Sequence, residues 1–248
     1  MVDHAWQRLM LSASNIPTPH LTSDYAEPTT VLLLPAFTII ENVTPATVPT
    51  LITEFINKTP TNTAPLAPVT LPRELAVDLP EPTPATLKEL TTRPCPHRAL
   101  ILLCSQKTRD ARCGQSAPLL RKELQRHLTP LGLYRDLDDE RPGGVGIYFI
   151  SHVGGHKYSA NMMVYRRPDA FGLDEVERGK LAEGEEAVPK KAEEGEEDVG
   201  AAQCIWLARV KPEDCQGIVK FTVLQGKVVK PARQLRGGFD RSKGLMSW

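Results

Sequence analysis

The stretch Arg98-Ala-Leu-Ile-Leu-Leu-Cys104 is a continuous apolar run that ends at a cysteine. A second cysteine, Cys113, follows after eight intervening residues. An uninterrupted apolar run of this length is typical of a β-strand that is buried on both of its faces. The stretch therefore predicts a buried strand that ends directly at Cys104.

The sequence around this strand alternates between helical and strand patterns. Leucines at helical spacing predict a helix over residues 117–131, with Ser116 and Pro118 at its start. Lys211-Pro212 indicates the start of a second helix that runs to Leu224. Further strands are predicted at Gly144 to Ile150, Met162 to Tyr165 and Cys204 to Val210. This order predicts an α/β fold, a mixed sheet flanked by helices and of thioredoxin-like size. Ligand sites in such sheets favour the edge where strands end.

By composition and pattern, the whole chain divides into three parts. Residues 1–57 predict a partial N-terminal α/β segment with one or two strands from Thr29 to Asn42 and a helix from Thr44 to Asn57. Residues 58–97 contain many prolines and threonines, which favours an extended linker. An α/β domain of thioredoxin-like size is predicted at 98–248, interrupted by an acidic, disordered insertion at 174–200 that holds no aromatic residue.

Composition excludes several classes of protein. Lys plus Arg and Asp plus Glu both number 30, so the chain has no net charge, which argues against nucleic-acid and membrane-surface binding. No apolar run has the roughly 18 residues of a membrane-spanning helix. The first residues contain no apolar signal region, so we expect a protein that is not secreted. Five cysteines is an odd number, which favours metal or redox chemistry over a disulfide framework.

Two thiols and two imidazoles form a candidate set of four metal ligands: Cys104, Cys113, His152 and His156. Two glycines separate the histidines, so we expect a tight loop rather than a helix there. Thiolates and imidazoles bind both zinc and iron–sulfur iron. The wide spacing of the cysteines favours a two-iron cluster, while a zinc-stabilised interaction module and a thiol–disulfide protein that uses Cys104 and Cys113 stay open. No C-x-x-C motif is present, and no hydrolase site is recognised.

The remaining cysteines have simpler interpretations. Cys95 and His97 lie in the predicted linker, where a solvated pair is the favoured interpretation. Cys204 and Cys215 lie in a predicted strand and helix and are expected to pack in the core. Arg236-Gly-Gly-Phe239 is interpreted as a turn.

Three linked motifs stand out: Cys104-Ser-Gln-Lys-Thr-Arg-Asp-Ala-Arg-Cys113-Gly, the segment from Gly143 through Ser151-His152-Val-Gly-Gly-His156 to Asn161, and Gln225-Gly-Lys-Val-Val. Together they closely resemble the fungal sucrase/ferredoxin-like family. The resemblance covers about Arg98 to Trp248, with a fainter match before it. It implies a thioredoxin-like fold and a 2Fe–2S cluster, with Cys104 and Cys113 on one iron and His152 and His156 on the other. The implied function is electron transfer or redox sensing between unidentified donor and acceptor proteins, without substrate turnover.

Two features bear on the cellular compartment and disagree. The tripeptide Met246-Ser247-Trp248 resembles the C-terminal signal by which the cytosolic iron–sulfur targeting machinery recognises its clients. This resemblance makes that machinery an expected partner and the cytosol an expected location. Members of the family are, however, named for mitochondrial inheritance, which favours the mitochondrion. Both compartments stay open at this point.

Overall fold

The computed structural model describes residues 9–19, 21, 24, 27–77, 89–108, 110–151, 158–174, 180–183, 185, 188–189 and 197–245. The predicted ligands His152 and His156, the tripeptide at residues 246–248 and most of the predicted insertion lie outside these residues. None of the described helices is both long and apolar enough to cross a membrane.

A six-stranded sheet forms the centre of the molecule. Its strands are β5 (Ala99–Cys104), β6 (Tyr134–Arg135), β7 (Val145–Ile150), β8 (Met162–Arg166), β9 (Gln203–Leu207) and β10 (Leu235–Asp240). They lie side by side in the order β10-β9-β8-β5-β7-β6. The apolar strand β5 pairs in parallel with β7 and antiparallel with β8, and β8 pairs antiparallel with β9. The predicted mixed sheet flanked by helices is confirmed, with β10 and the two-residue strand β6 added as the outer strands.

Helices cover one face of this sheet. They are α2 (Ala111–Leu128) and α3 (the consecutive turns Pro212–Asp214, Cys215–Gly217 and Ile218–Val223), and a short helix, α4 (Pro231–Gln234), precedes β10. Apolar residues of α2 and α3 share one buried cluster with alternate residues of β5, namely Ala99, Ile101 and Leu103. This periodicity explains why the leucine pattern of α2 was visible in the sequence.

The predicted start of α2 at Ser116 is wrong, because the helix begins at Ala111. Asp110 caps it, with a side-chain oxygen that accepts a hydrogen bond of 3.0 Å from the backbone nitrogen of Arg112. The buried stripe of the helix also extends back through Ala117 and Cys113, one turn apart. Cys113 therefore lies in the first helical turn and not in a loop.

A four-stranded sheet covers the other face. Its strands are β1 (Thr29–Leu33), β2 (Thr38–Val43), β3 (Glu74–Ala76) and β4 (Glu89–Pro94), in the order β1-β2-β4-β3, with helical turns (α1) at Pro45–Thr47, Val48–Thr50, Leu51–Phe55 and Ile56–Lys58. The predicted N-terminal strands and helix are present. The linker interpretation of residues 58–97 is wrong for β3 and β4. β-Branched residues such as Thr91 and Thr92 suit the sheet, and the proline of β4 is its last residue.

A buried arginine joins the end of β8, the start of β9 and the end of α3, on the opposite side of the sheet from Cys104. Arg166 is 1% exposed, and its Nε donates to the carbonyl of Val223 at 2.7 Å. Its guanidinium also donates to Gln203 Oε1 at 2.7 Å and to Asp174 Oδ1 at 2.6 Å. Gly226 has a φ of +66°, and a Cβ at this position would overlap with both Arg166 and Gln203. This glycine therefore provides both the left-handed turn and the space for the arginine.

We expect Gly226→Ala to destabilise the protein by roughly 2–4 kcal/mol, which combines left-handed strain with overpacking against Arg166. The matched control is Gly244→Ala, since Gly244 has a φ of +64° and no atom within 4 Å of a Cβ. The control should lose only about 1–2 kcal/mol. Urea denaturation measures both variants. Equal losses of unfolding free energy in the two variants would show that the Arg166 side chain can move away from the new Cβ without destabilising the protein.

Candidate functional site

Several strands of the six-stranded sheet begin or end at the same side. This side is called the sheet edge below, and it is formed by strand ends and not by an outer strand. The parallel strands β5 and β7 end there at Cys104 and Ile150, which are paired. Because β8 and β9 alternate in direction, the start of β8 at Met162 and the end of β9 at Leu207 are paired at the same edge. Leu235, which begins β10, pairs with Leu207. Side chains and loops from five segments of the chain are thereby brought together.

Cys104 is held by both loops that border the predicted histidine segment. Its backbone nitrogen donates to the carbonyl of Asn161 at 3.1 Å, and its Sγ donates to the carbonyl of Ser151 at 3.2 Å. The side chain is buried. Ser151 immediately precedes His152 in the chain, and Asn161 follows the same segment. Both boundaries of the segment are thus anchored beside the Cys104 thiol.

Cys113 occupies the third position of α2 and is buried. A helix N-terminus carries a partial positive charge that favours thiolates and other anions. The loop between the two cysteines packs back on this turn, since a Cβ at Gly114 would overlap with Cγ of Lys107. Cys104 and Cys113 belong to the same buried cluster, which also contains Ile150. None of the five cysteines forms a disulfide.

The N-terminal segment and β9 support the two boundaries of the histidine segment from outside. Ser151 donates its backbone N–H to the carbonyl of Ala13 at 2.7 Å, and its Oγ accepts from the N–H of Ala13 at 3.0 Å. At the other boundary, Trp206 Nε1 donates to Asn161 Oδ1 at 3.2 Å. The amide nitrogen of Asn161 in turn donates to the carbonyl of Tyr158. Neither the Ala13–Ser151 contact nor the Trp206–Asn161 contact could be predicted from the sequence, because each joins residues that are far apart in the chain.

Two arginines stack on Tyr158 at the same edge. The guanidinium carbon of Arg236 lies 3.5 Å from the ring centroid, and that of Arg209 lies 5.2 Å from it. Cation–π contacts of this kind occur within about 6 Å of a ring centroid. The interpretation of Arg236–Phe239 as a turn is wrong, because these residues belong to β10, in which Gly237, Gly238 and Phe239 pair with β9.

The other three cysteines are buried in surroundings that favour the protonated thiol. Burial raises the pKa of Cys95 to about 11 and the pKa values of Cys204 and Cys215 to about 12. Core packing of Cys204 and Cys215 agrees with the sequence expectation. The solvated interpretation of Cys95 and His97 is wrong: both are buried, and His97 Nε2 lies 3.3 Å from the Tyr148 hydroxyl.

The described part of the chain brings together Cys104 and Cys113 of the four predicted ligands. Within that part, no group of three or more His, Cys, Asp or Glu side chains is arranged to hold a metal ion. The proposed third and fourth ligands, His152 and His156, are outside it. The ligand assignment therefore stays a prediction.

Comparison with known proteins places the chain among fungal relatives. The family model described as sucrase/ferredoxin-like matches residues 1–237. Actin patches distal protein 1 of Saccharomyces cerevisiae is 49% identical over 84 residues, which are 32% of this chain and 27% of that protein. Altered inheritance of mitochondria protein 32 of Clavispora lusitaniae is 28% identical over 134 residues, 54% of this chain and 33% of that protein. Its namesake from Meyerozyma guilliermondii is 30% identical over 131 residues, 53% of this chain and 32% of that protein.

The matched segments thus span about a third or less of the length of these relatives. No solved structure matches the chain.

We expect Gly114→Ala to destabilise the protein by about 1–3 kcal/mol, although alanine favours helices, because the new Cβ displaces the loop at Lys107. Gly217→Ala is the matched control. Gly217 is also helical and has no atom within 4 Å of a Cβ, so this change should stabilise by up to about 1 kcal/mol. Urea denaturation distinguishes the two signs. Stabilisation by both changes would contradict the close packing of the loop on α2.

The raised pKa values predict that Cys95, Cys204 and Cys215 resist alkylation. Near pH 8 their thiolate fractions are very small, so iodoacetamide should leave all three unmodified in the folded protein and react with them in denaturant. Mass spectrometry of digested protein measures the modification of each cysteine. Rapid modification of any of the three in the native state would contradict their buried, protonated condition.

Proposed function

Since the chain belongs to the sucrase/ferredoxin-like family, we propose that it is a 2Fe–2S protein that transfers electrons. In this proposal Cys104 and Cys113 bind one iron, and His152 and His156 bind the other. The single observation that supports it most is the position of the two thiols. They lie in one buried cluster at a sheet edge, and the residue before His152 contacts the Cys104 sulfur.

The donor set fits this cofactor chemically. Thiolate and imidazole are established ligands of iron in 2Fe–2S centres. The cluster of residues around Cys104 and Cys113 is apolar, which limits the access of water to a group bound there. A 2Fe–2S cluster held by these side chains would accept and release one electron at a time.

The protein contributes ligand orientation and charge. Hydrogen bonds from Ala13 and Trp206 hold Ser151 and Asn161, so both boundaries of the histidine segment are fixed in position. The N-terminus of α2 places partial positive charge at Cys113. Two neutral imidazoles in place of two thiolates also remove two negative charges from the site. Both effects favour the reduced form and raise the reduction potential above that of four-cysteine ferredoxins.

A thiol–disulfide protein is the second candidate, and the position of Cys113 is the observation that favours it. A cysteine in the first turn of a helix is the usual nucleophile position in thiol–disulfide oxidoreductases, because the helix terminus stabilises the thiolate. Such a protein should still reduce disulfides after both histidines are replaced by alanine. The cluster proposal predicts instead that His152 and His156 are required.

The electron donor and acceptor are proposed to be other proteins. The relatives' printed names specify no reaction. Because the matched segments cover only part of those relatives, the partners have to be identified with this chain itself.

We expect about two iron atoms and two acid-labile sulfides per chain in protein purified without air. Cys104→Ser and His156→Ala should each abolish or strongly reduce both contents, because each removes a ligand. Cys215→Ala is the matched control and should retain both, since Cys215 belongs to α3 and packs against α2, away from the candidate ligands. Elemental analysis, a sulfide assay and visible absorption give the readout.

Two results would replace the proposal. Zinc near one per chain without sulfide would identify a zinc-stabilised interaction module. No metal, together with disulfide reduction that survives replacement of His152 and His156, would identify the thiol–disulfide protein.

A further inference from the structure

We propose that Arg209, Tyr158 and Arg236 form a docking site for an acidic surface on the protein that exchanges electrons with this chain. These three residues are called the arginine–tyrosine cluster below. The inference rests on the proposed function only for the role of the partner. The preference of the site for carboxylates follows from the geometry and can be tested separately.

The cluster lies at the same sheet edge as the two candidate cysteine ligands. Arg209 follows β9 two residues after Leu207, and Arg236 is the second residue of β10. Tyr158 precedes Asn161, whose carbonyl accepts the backbone N–H of Cys104. The backbone N–H of Arg209 donates to the carbonyl of Ser159 at 2.9 Å, which fixes the arginine to this loop. A protein that docks here would therefore approach the edge at which Cys104 lies.

The two guanidinium groups are not neutralised within the described residues. No ion pair joins Arg209 or Arg236 to an acidic side chain there, whereas Arg112, near Cys113, is paired with Asp110 at 2.9 Å. In the same part of the chain, Nε of Arg236 is buried without a hydrogen-bond acceptor. Buried polar groups normally have such partners, so this nitrogen is unsatisfied among the described residues. Lys107 adds a further exposed positive charge beside the first turn of α2.

Stacking on Tyr158 orders the arginines before a partner arrives. Arg236 lies over the ring at 3.5 Å and Arg209 contacts it at 5.2 Å, which restricts two otherwise flexible side chains. A planar, ordered guanidinium presents parallel N–H donors that match a carboxylate, and less conformational entropy is lost on binding. The arrangement suits recognition of Asp and Glu side chains more than a diffuse attraction to negative charge.

An acidic protein fits this site better than a nucleic acid or a membrane does. The chain has no net charge, and the cluster presents two arginines rather than an extended basic surface. Electron-transfer complexes have small interfaces, and in them a few charges mainly steer the encounter and set its salt dependence. Two ordered arginines beside the candidate redox site are sufficient for that purpose.

Fluorescence anisotropy of a fluorescein-labelled hexaglutamate peptide, titrated with the full chain, tests the proposal. At low ionic strength the double variant Arg209→Gln, Arg236→Gln should bind this peptide about three- to tenfold more weakly than the wild type. The difference should shrink at high salt. Replacement of both residues by lysine, which keeps the charge but not the planar stacking, should recover only part of the affinity.

The matched control is the double variant Arg141→Gln, Lys227→Gln. It changes the net charge by the same amount, but Arg141 precedes the start of β7 and Lys227 lies beyond the far end of β8, at the opposite sheet edge. This control should bind the peptide as the wild type does. Equal weakening in both double variants would overturn the proposal, because the effect would then be one of net charge.

Two further measurements distinguish loss of the docking site from poor folding, and an acidic protein partner from a membrane surface. The single variant Arg209→Gln changes an exposed side chain, so its weaker binding supports the site even if the double variant folds poorly. Vesicles of phosphatidylserine and phosphatidylcholine serve as the competing probe. Binding to the vesicles but not to the peptide would overturn the proposal in favour of a membrane surface.

Iron and sulfide are measured on the same preparations. Site-specific peptide binding without iron would contradict the proposed function and leave the docking site standing. Normal iron content without site-specific peptide binding would overturn the docking site and leave the proposed function standing.

Discussion

Burial of β5 on both faces is the constraint on which the other elements depend. Its residues alternate between two layers: Ala99, Ile101 and Leu103 pack with the helices, while Leu100 and Leu102 pack with the N-terminal sheet. Each fully buried leucine or isoleucine contributes roughly 1.5–3 kcal/mol, so neither layer can be removed without exposing a large apolar surface. The same alternation puts the Cys104 side chain on the face of the N-terminal sheet.

This placement affects the chemistry that Cys104 and Cys113 can perform. A charged thiolate in an apolar cluster is unstable unless a positive group compensates it. The helix terminus at Cys113 provides a partial charge, and a bound metal ion would provide a full one. In the proposed function, a bound metal ion would stabilise both thiolates at once. Zinc and a 2Fe–2S cluster would both meet this requirement.

The sequence was sufficient to predict elements whose signal is local. The apolar run of β5, the leucine stripe of α2 and the Thr44-Pro45 helix start each appear within a few consecutive residues. The first turn of α2 was missed because its start depends on the Asp110 side chain and its helical stripe continues through a cysteine. β3 and β4 were missed because their pairing with distant strands outweighs a proline-rich composition.

In the candidate site, too, the features with a local sequence signal could be predicted and those that depend on long-range contacts could not. Spacing and resemblance were enough to nominate Cys104 and Cys113, and the structure brings both to one buried cluster. The groups that support them were not predictable, since Ala13 bonds Ser151 across 138 positions and Trp206 bonds Asn161 across 45. Arg209 and Arg236 meet at Tyr158 only because β9 and β10 are neighbours. No single stretch of sequence contains the information for such contacts.

Two buried arginines show why the N-terminal sheet belongs to the same folded unit as the site. Arg167 donates to the carbonyls of Cys95 and His97, and its guanidinium lies 4.7 Å over the ring of Phe37. Arg241 donates to the carbonyls of Ala64 and Pro65 and to two others in the segment before β9. Buried carbonyls in irregular segments need donors, and a guanidinium can serve several at once. The N-terminal residues are therefore part of the apolar enclosure of Cys104, and a shortened chain without them would expose that face to water.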